Sequence, residues 1–292
     1  MTSEHENRRG IVAMALAMAS FVANDALVKF VSQSLPAAQL IFLRGLFAVA
    51  LLMGAAQVMG LFRSPAKGEL GALQQVMLRP VMLRSALDAF ATLVYLTSLF
   101  HLPIGNATAI NMATPLMITL FVVLVWHEKV STGRWVAILL GFVGVLMIVQ
   151  PAADSFNVWA LLCLAGTALH AARDICTRKI PGHVPSVLIT LGTAVSVTLL
   201  SAALSLAQGW QPFTLQQLGM LAAASVFLSV GYYLLILSTR AGDMSVVAPF
   251  RYVGLLFALV LGWVVWGDLP NVVAWSGIGL LLGAGLYMLR RT

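Results

Sequence analysis

Charge is the first shortage. Asp, Glu, Lys and Arg make up 9% of the 292 residues, where a soluble domain carries about 25%. So few charges cannot dress a water-facing surface, and 60% of the chain is hydrophobic with a mean hydropathy of +0.95. This excludes a soluble enzyme and a nucleic-acid-binding domain, in spite of a net charge of +7. Cysteine is scarce as well. Cys163 and Cys176 stand thirteen residues apart in one apolar segment, too few for a disulfide framework and wrongly spaced for a metal site. No GxxxxGK[ST] loop is present, so the chain has no ATP drive of its own. The absence of HExxH, GxSxG and acid-rich metal motifs argues against an intramembrane hydrolase or prenyl-transfer enzyme. No TVGYG-type filter marks a selective pore. The expectation is a protein that is no enzyme and uses no cofactor and no metal. No cleavable signal is expected, because the apolar run from Gly10 is long enough to span and lacks a cleavage motif.

What is present is apolar length. A helix needs about 20 apolar residues to cross the hydrocarbon core. Ten such runs are expected, near 10–32, 37–61, 81–101, 104–126, 133–150, 156–177, 185–207, 214–238, 244–266 and 272–289. Helices are the choice because backbone groups in lipid must be satisfied within the segment. The longest connection, Phe62 to Pro80, has room for a short surface helix at most. The fold class is therefore all-α integral membrane.

The basic residues orient the spans. With the N terminus inside behind Arg8 and Arg9, the inner loops and the C terminus hold Arg63, Lys67, Arg79, Lys129, Arg134, Arg178, Lys179, Arg240, Arg290 and Arg291. The outer loops hold no Lys or Arg. This split follows the positive-inside rule and places both termini in the cytoplasm.

The halves repeat. Ala23-Asn24-Asp25 aligns with Ala172-Arg173-Asp174, and Lys29 with Arg178, at an offset of 149 that also sets Pro36 on Pro185. An offset of 137 sets Tyr95 on Tyr232 and Asn106 on Asp243; an offset of 140 sets Trp126 on Trp266 and Glu128 on Asp268. Five spans is an odd number, so the second repeat enters upside down. Inverted repeats are typical of secondary transporters, with the substrate near the midplane between them.

The stretches "PLMITLFVVLVWHEKVS" and "LLFALVLGWVVWGDLP", each closing the fourth span of a five-span repeat, resemble the EamA-type members of the drug/metabolite transporter superfamily. The likeness covers nearly the whole chain and extends to the bacterial YddG group of aromatic amino-acid exporters. It implies repeats over 10–150 and 156–289, and alternating-access export of amino acids and related metabolites across a bacterial inner membrane. The protein's partners would be that small molecule and membrane lipid, as a monomer or homodimer. Pro115 has Gly254 or Leu255 at its counterpart, so a paired-proline role does not carry over. A nucleotide sugar or a cationic drug suits the same fold; for a cation, Asp25 would have to be the counter-charge.

Charges inside spans cost about 2.5–3.5 kcal/mol each even on the lenient insertion scale, and so point to sites or pairs. Asp25 with Lys29, Asp174 with Arg178, and Arg84 with Asp88 are each spaced i, i+4. The first two pairs fall at mirrored depths. They read either as gate ion pairs or as groups handling ligand and proton. Arg44 and Arg251 lack an acid four residues away. Each reads as a clamp for a substrate carboxylate or as the partner of an acid such as Asp88. Tyr252 is adjacent to Arg251. Asn111 is suited to a substrate amine or carboxylate, or to a neighbouring helix. Tyr95 and Tyr232 are suited to stacking on a ring, or to packing. His170 reads as a proton relay or as a hydrogen-bonded packing residue. Trp126, Trp159, Trp210, Trp266 and Trp275 read as interface belts. Gly279 with Gly283, and Ala137 with Gly141, predict close helix packing.

Overall fold

A computed structural model describes residues 4–63, 70–126, 132–149, 157–177, 179–241 and 247–290. The helices are α1 (Glu4–Val31), α2 (Ala37–Val58), α3 (Ala72–Val76), α4 (Arg79–Leu99), α5 (Ile104–Asn111), α6 (Thr114–Trp126), α7 (Thr132–Val149), α8 (Val158–Thr177), α9 (Ser186–Gln208), α10 (Leu215–Ala241), α11 (Val253–Trp266) and α12 (Val272–Arg290). A 3₁₀ turn over Ala248–Tyr252 precedes α11. No strand occurs among the described residues.

Among the described residues six segments are long and apolar enough to cross a membrane: 6–31, 37–58, 104–121, 158–177, 186–208 and 215–235. Shorter apolar helices lie at 135–148, 250–266 and 272–287. The remaining span, α4, has 21 residues and carries Arg84 and Asp88, which it buries against other helices. The chain is a multi-pass membrane protein.

Local sequence sets the helix starts. Pro36, Pro103 and Pro185 precede α2, α5 and α9 with extended dihedrals, a place where their missing N–H costs nothing. Side chains cap the helices opening the sixth, eighth and tenth spans. Asn157 Oδ1 accepts from Trp159 N at 2.9 Å, and Asn271 Oδ1 from Ala274 N at 2.8 Å. Thr214 and Gln217 form a reciprocal box, with Thr214 N donating to Gln217 Oε1 and Gln217 N to Thr214 Oγ1. Gly267, at φ +71°, closes α11, and its N–H donates to Trp263 O at 2.9 Å.

The fourth span is broken where a continuous helix was expected. Pro115 cannot donate to Asn111 O, and the helix stops at Asn111 and resumes at Thr114. The Thr114 hydroxyl donates to that orphaned carbonyl at 2.6 Å. The ninth span is irregular at the equivalent point. The 140-residue offset carries Met112 onto Tyr252, where the 3₁₀ turn gives way to α11.

Packing follows the repeat. α1 packs on α10 and, as its image, α8 on α4; α2 packs on α9 and α7 on α12, each pair mapping onto itself. Glycine permits the closest of these contacts. A Cβ on Gly277 would meet Gly144 O at 2.6 Å, and one on Gly144 would meet Gly277 O at 2.7 Å. The expectation for Gly279 and Gly283 is corrected: both face outward, with open space beside them. Spacing identifies a small-residue stripe but not the face that meets a neighbour. Gly141 does pack closely, against Leu116 and Ala284.

Gly277→Val is expected to destabilise the protein by about 1–3 kcal/mol through overpacking. Gly279→Val and Gly283→Val should leave thermal unfolding in detergent unchanged. Equal melting temperatures for all three variants would contradict this account of the α7–α12 contact.

Candidate functional site

The buried polar residues form two clusters. The first joins α1, α2 and α4. Asn24, 2% exposed, donates through Nδ2 to Asp25 Oδ1 at 2.9 Å. The Tyr95 hydroxyl donates to Asp25 Oδ2 at 3.1 Å. Arg44, 6% exposed, donates through Nη1 to Asn24 Oδ1 at 3.4 Å, while its Nε has no hydrogen-bond partner among the described residues. The Ser225 hydroxyl on α10 donates to Arg44 O at 2.8 Å, fixing the backbone beneath.

The second cluster joins α4, α8 and α9, and its charges are paired. Arg173 Nη1 lies 2.7 Å from Asp88 Oδ1, and its Nη2 lies 2.9 Å from Asp174 Oδ1. Arg84 approaches Asp88 at 3.7 Å and donates to the Thr177 hydroxyl at 3.1 Å and to the Thr193 hydroxyl. Asp88 is 2% exposed, so these partners are what make its burial tolerable.

Two aromatic residues connect the clusters. Tyr95 lies with its ring centroid 5.7 Å from that of His170. Asn111 Oδ1 lies 3.1 Å from His170 Nδ1. Tyr232 packs edge-on against Phe21 at 5.2 Å. It lies within electrostatic reach of Asp88, Arg173, Arg84 and Asp174 and also of Arg44. Spans from both repeats therefore contribute to one polar interior.

Several expectations change. Lys29 does not pair with Asp25: among the described residues the ion pairs are Arg84–Asp88, Arg173–Asp88 and Arg173–Asp174. Its ammonium donates to Leu99 O at 3.3 Å and to Leu102 O, and lies 5.4 Å from the centre of the Trp266 ring. The Asp268 carboxylate attracts it as well. Carbonyls left over at a helix C terminus favour a cation. Trp266 is thus a packing partner, not only a belt residue. Asp174 pairs with its neighbour Arg173; Arg178, its expected partner, lies outside the described residues, as do Glu128 and Asp243. Asp88 is held by Arg84 and Arg173 and so is not the partner of Arg44. Arg251 lies in the 3₁₀ turn, within electrostatic reach of Asp174 and Arg173. The hydroxyl end of Tyr252 packs against Gly285 of α12, filling the space where a Cβ would stand. Asn111 meets a neighbouring helix through His170. Asn24, Thr177 and Thr193 were not singled out from sequence; only Asn24 carried a signal, its alignment with Arg173.

The EamA-like transporter family profile matches residues 8–150 and again 157–290. A riboflavin transporter of Rhizobium johnstonii is 31% identical over 207 residues, 71% of this chain and 68% of that one. A pseudopaline exporter of Pseudomonas aeruginosa is 26% identical over 98% of this chain and 97% of its own length. An S-adenosylmethionine uptake transporter of Rickettsia bellii is 25% identical over 96% and 93%. A crystal structure superposes with a TM-score of 0.63 over 96% of this chain and 98% of that one, at 17% identity, which speaks to the fold alone.

Arg173→Met leaves buried Asp88 with only the 3.7 Å contact to Arg84. It should cost about 3–5 kcal/mol of stability. Asp88→Leu combined with Arg173→Met should recover part of that loss, since it removes the buried carboxylate, leaves Arg84 on the Thr177 and Thr193 hydroxyls and leaves Asp174 one-third exposed. Denaturant titration of both variants checks this, and a double variant no better than the single one would sink it.

Proposed function

The chain belongs to the EamA-like transporter family, and from that premise we propose that it is a secondary transporter exporting amino acids, aromatic ones first, across a bacterial inner membrane. The observation that carries this reading is the polar interior shared by both repeats, in which buried Arg44 keeps a nitrogen without a partner. A buried cation with spare donors suits a cargo carboxylate. Asp25, on the far side of Asn24, suits a cargo ammonium. Tyr95 and Tyr232 offer ring faces to an aromatic side chain, with Asn111 and His170 beside them. Arg251 and Tyr252 lie where the ninth span loses regular backbone, an arrangement that recurs at transporter substrate sites.

Transport would proceed by alternating access, the two repeats rocking about this interior. Lys29, bound to the carbonyls that close α4 and to Trp266, ties the outer ends of three spans and acts as a gate residue. Asp25, His170, Asp174 and Arg178 are the further gate or proton-relay residues. The basic loops place both termini in the cytoplasm. The work is carriage, with no bond made or broken and no cofactor.

The names of the relatives favour a second reading. Riboflavin and S-adenosylmethionine both join a flat heteroaromatic ring to a polar tail. Such a cargo would use the same tyrosines and donors without being a simple amino acid.

Counterflow separates the readings. Proteoliposomes loaded with unlabelled tryptophan or phenylalanine, at equal pH on both sides, are expected to accumulate the labelled amino acid. Tyr95→Phe, which removes the hydroxyl that donates to Asp25, should cut the initial rate about tenfold, the scale of a hydrogen bond to a charged group. Counterflow of riboflavin or S-adenosylmethionine, with none of any amino acid, would replace the first reading with the second.

A further inference from the structure

Asn24 holds two opposite charges apart. Through Nδ2 it donates to Asp25 Oδ1 at 2.9 Å, and through Oδ1 it accepts from Arg44 Nη1 at 3.4 Å. Tyr95 donates to the other carboxylate oxygen at 3.1 Å. Asp25 is thus satisfied at both oxygens by neutral groups. Among the described residues Arg44 makes one long contact to a neutral acceptor and its Nε makes none, so that Asp25 attracts it across the amide without a direct bond. A guanidinium has five N–H donors, so this one is under-used in the place where leaving it so costs most.

The other repeat shows what happens without the amide. Its residue at the Asn24 position is Arg173. Arg173 Nε also donates to the aspartate that follows it, at 3.0 Å, but its remaining nitrogens close on Asp88 and Asp174. Both acids and the arginine are answered. The same local hydrogen bond, made by an amide in one repeat and by a guanidinium in the other, leaves a cation open in the first and closed in the second.

We propose that Asn24 is a positioning residue, a spacer that holds Arg44 off Asp25 and so keeps the guanidinium open for the carboxylate of the cargo. This rests on the transport reading in that the cargo must enter this interior. It narrows the substrate class to molecules that carry a carboxylate, with or without an amine. A cargo bearing an amine alone leaves Arg44 unanswered and binds more weakly. The device explains why a neutral amide stands between two buried ions that would otherwise meet.

The test uses the purified full-length protein in detergent, with ligand affinity read from thermal unfolding. The probe is indole-3-acetate, which carries a carboxylate on an indole and no amine. The wild type should bind it more tightly than tryptamine, which carries an amine and no carboxylate. Asn24→Leu removes the spacer, lets Arg44 close on Asp25, and should raise the indole-3-acetate Kd about 10- to 100-fold. Adding Asp25→Asn to that variant frees Arg44 again and should restore the Kd to within about threefold of wild type. A merely structural asparagine would not be rescued by a second change in the same buried cluster. If Asn24→Leu does not fold, Asn24→Asp gives Arg44 a carboxylate partner directly and should show the same loss. No binding by the wild type, equal affinity of the spacer variant and wild type, or no recovery in the double variant overturns the proposal. Tryptophan counterflow unaltered by Asn24→Leu would overturn the spacer and leave the transport reading standing. The expected binding pattern without amino-acid counterflow would do the reverse.

Discussion

A charge inside a membrane-embedded protein must be answered by the protein itself. Water is not at hand to solvate it, and lipid offers nothing. The interior of this chain is arranged around that requirement. Asp88 is answered by Arg173 and Arg84. Asp174 is answered by Arg173. Lys29 is answered by two carbonyls and an aromatic face. The Arg173–Asp88 pair and the Lys29 contacts join helices that are remote in sequence, so the charges help decide which helices meet. Apolar contact carries little discrimination where the surroundings are equally apolar.

The repeat symmetry makes departures from it informative. α1 on α10 and α4 on α8 are images of each other, and the fourth and ninth spans both lose helical backbone at equivalent points. The side chains do not follow suit. Around Asp174 the charges cancel; around Asp25 neutral donors serve the acid and the nearby arginine is left short of partners. A shared backbone with unlike polar fillings gives two clusters of different stiffness. Ion pairs in a dry setting are costly to separate, whereas hydrogen bonds from an amide and a phenol can be exchanged for those of a ligand.

The helical architecture was legible in sequence because it depends on length and apolarity, both of which are local. Most helix bounds lie within about three residues of the runs, the usual precision of such readings. The internal alignment was legible for the same reason. Pairings were not. An i, i+4 spacing permits Asp25 and Lys29 to meet, yet Lys29 finds a better acceptor set at the end of α4, and no pattern in α1 announces that. The GxxxG at Gly279 has the right spacing on the wrong face, while the contact at Gly144 and Gly277 lies across two helices and shows no motif in either. Pro115 stood out in sequence only for its missing counterpart, whereas the break it causes falls at Met112 and Ala113, where the missing backbone donor leaves Asn111 O to the Thr114 hydroxyl. Asn24 was passed over because a neutral residue beside an acid draws no attention, although the alignment had set it opposite Arg173. The candidate site was legible as a set of residue types. Which of them touch was not.

Substrate choice in such a scaffold has few places to reside. Much of the large apolar surface faces lipid, and the close helix contacts are filled by small residues and aliphatic side chains. Relatives named for riboflavin, pseudopaline and S-adenosylmethionine keep the length and match the chain at 25–31% identity. One fold therefore serves cargoes of different chemistry, and the fold does not name the cargo. The discriminating groups must be polar, interior and not already consumed by the scaffold. Arg84, Asp88 and Arg173 are consumed, since each is needed to answer another. Lys29 is consumed at the helix end. On the proposed transport reading, the polar atoms with capacity left over, Arg44 foremost, are where a difference of one side chain would change what the protein carries while leaving its helices where they are.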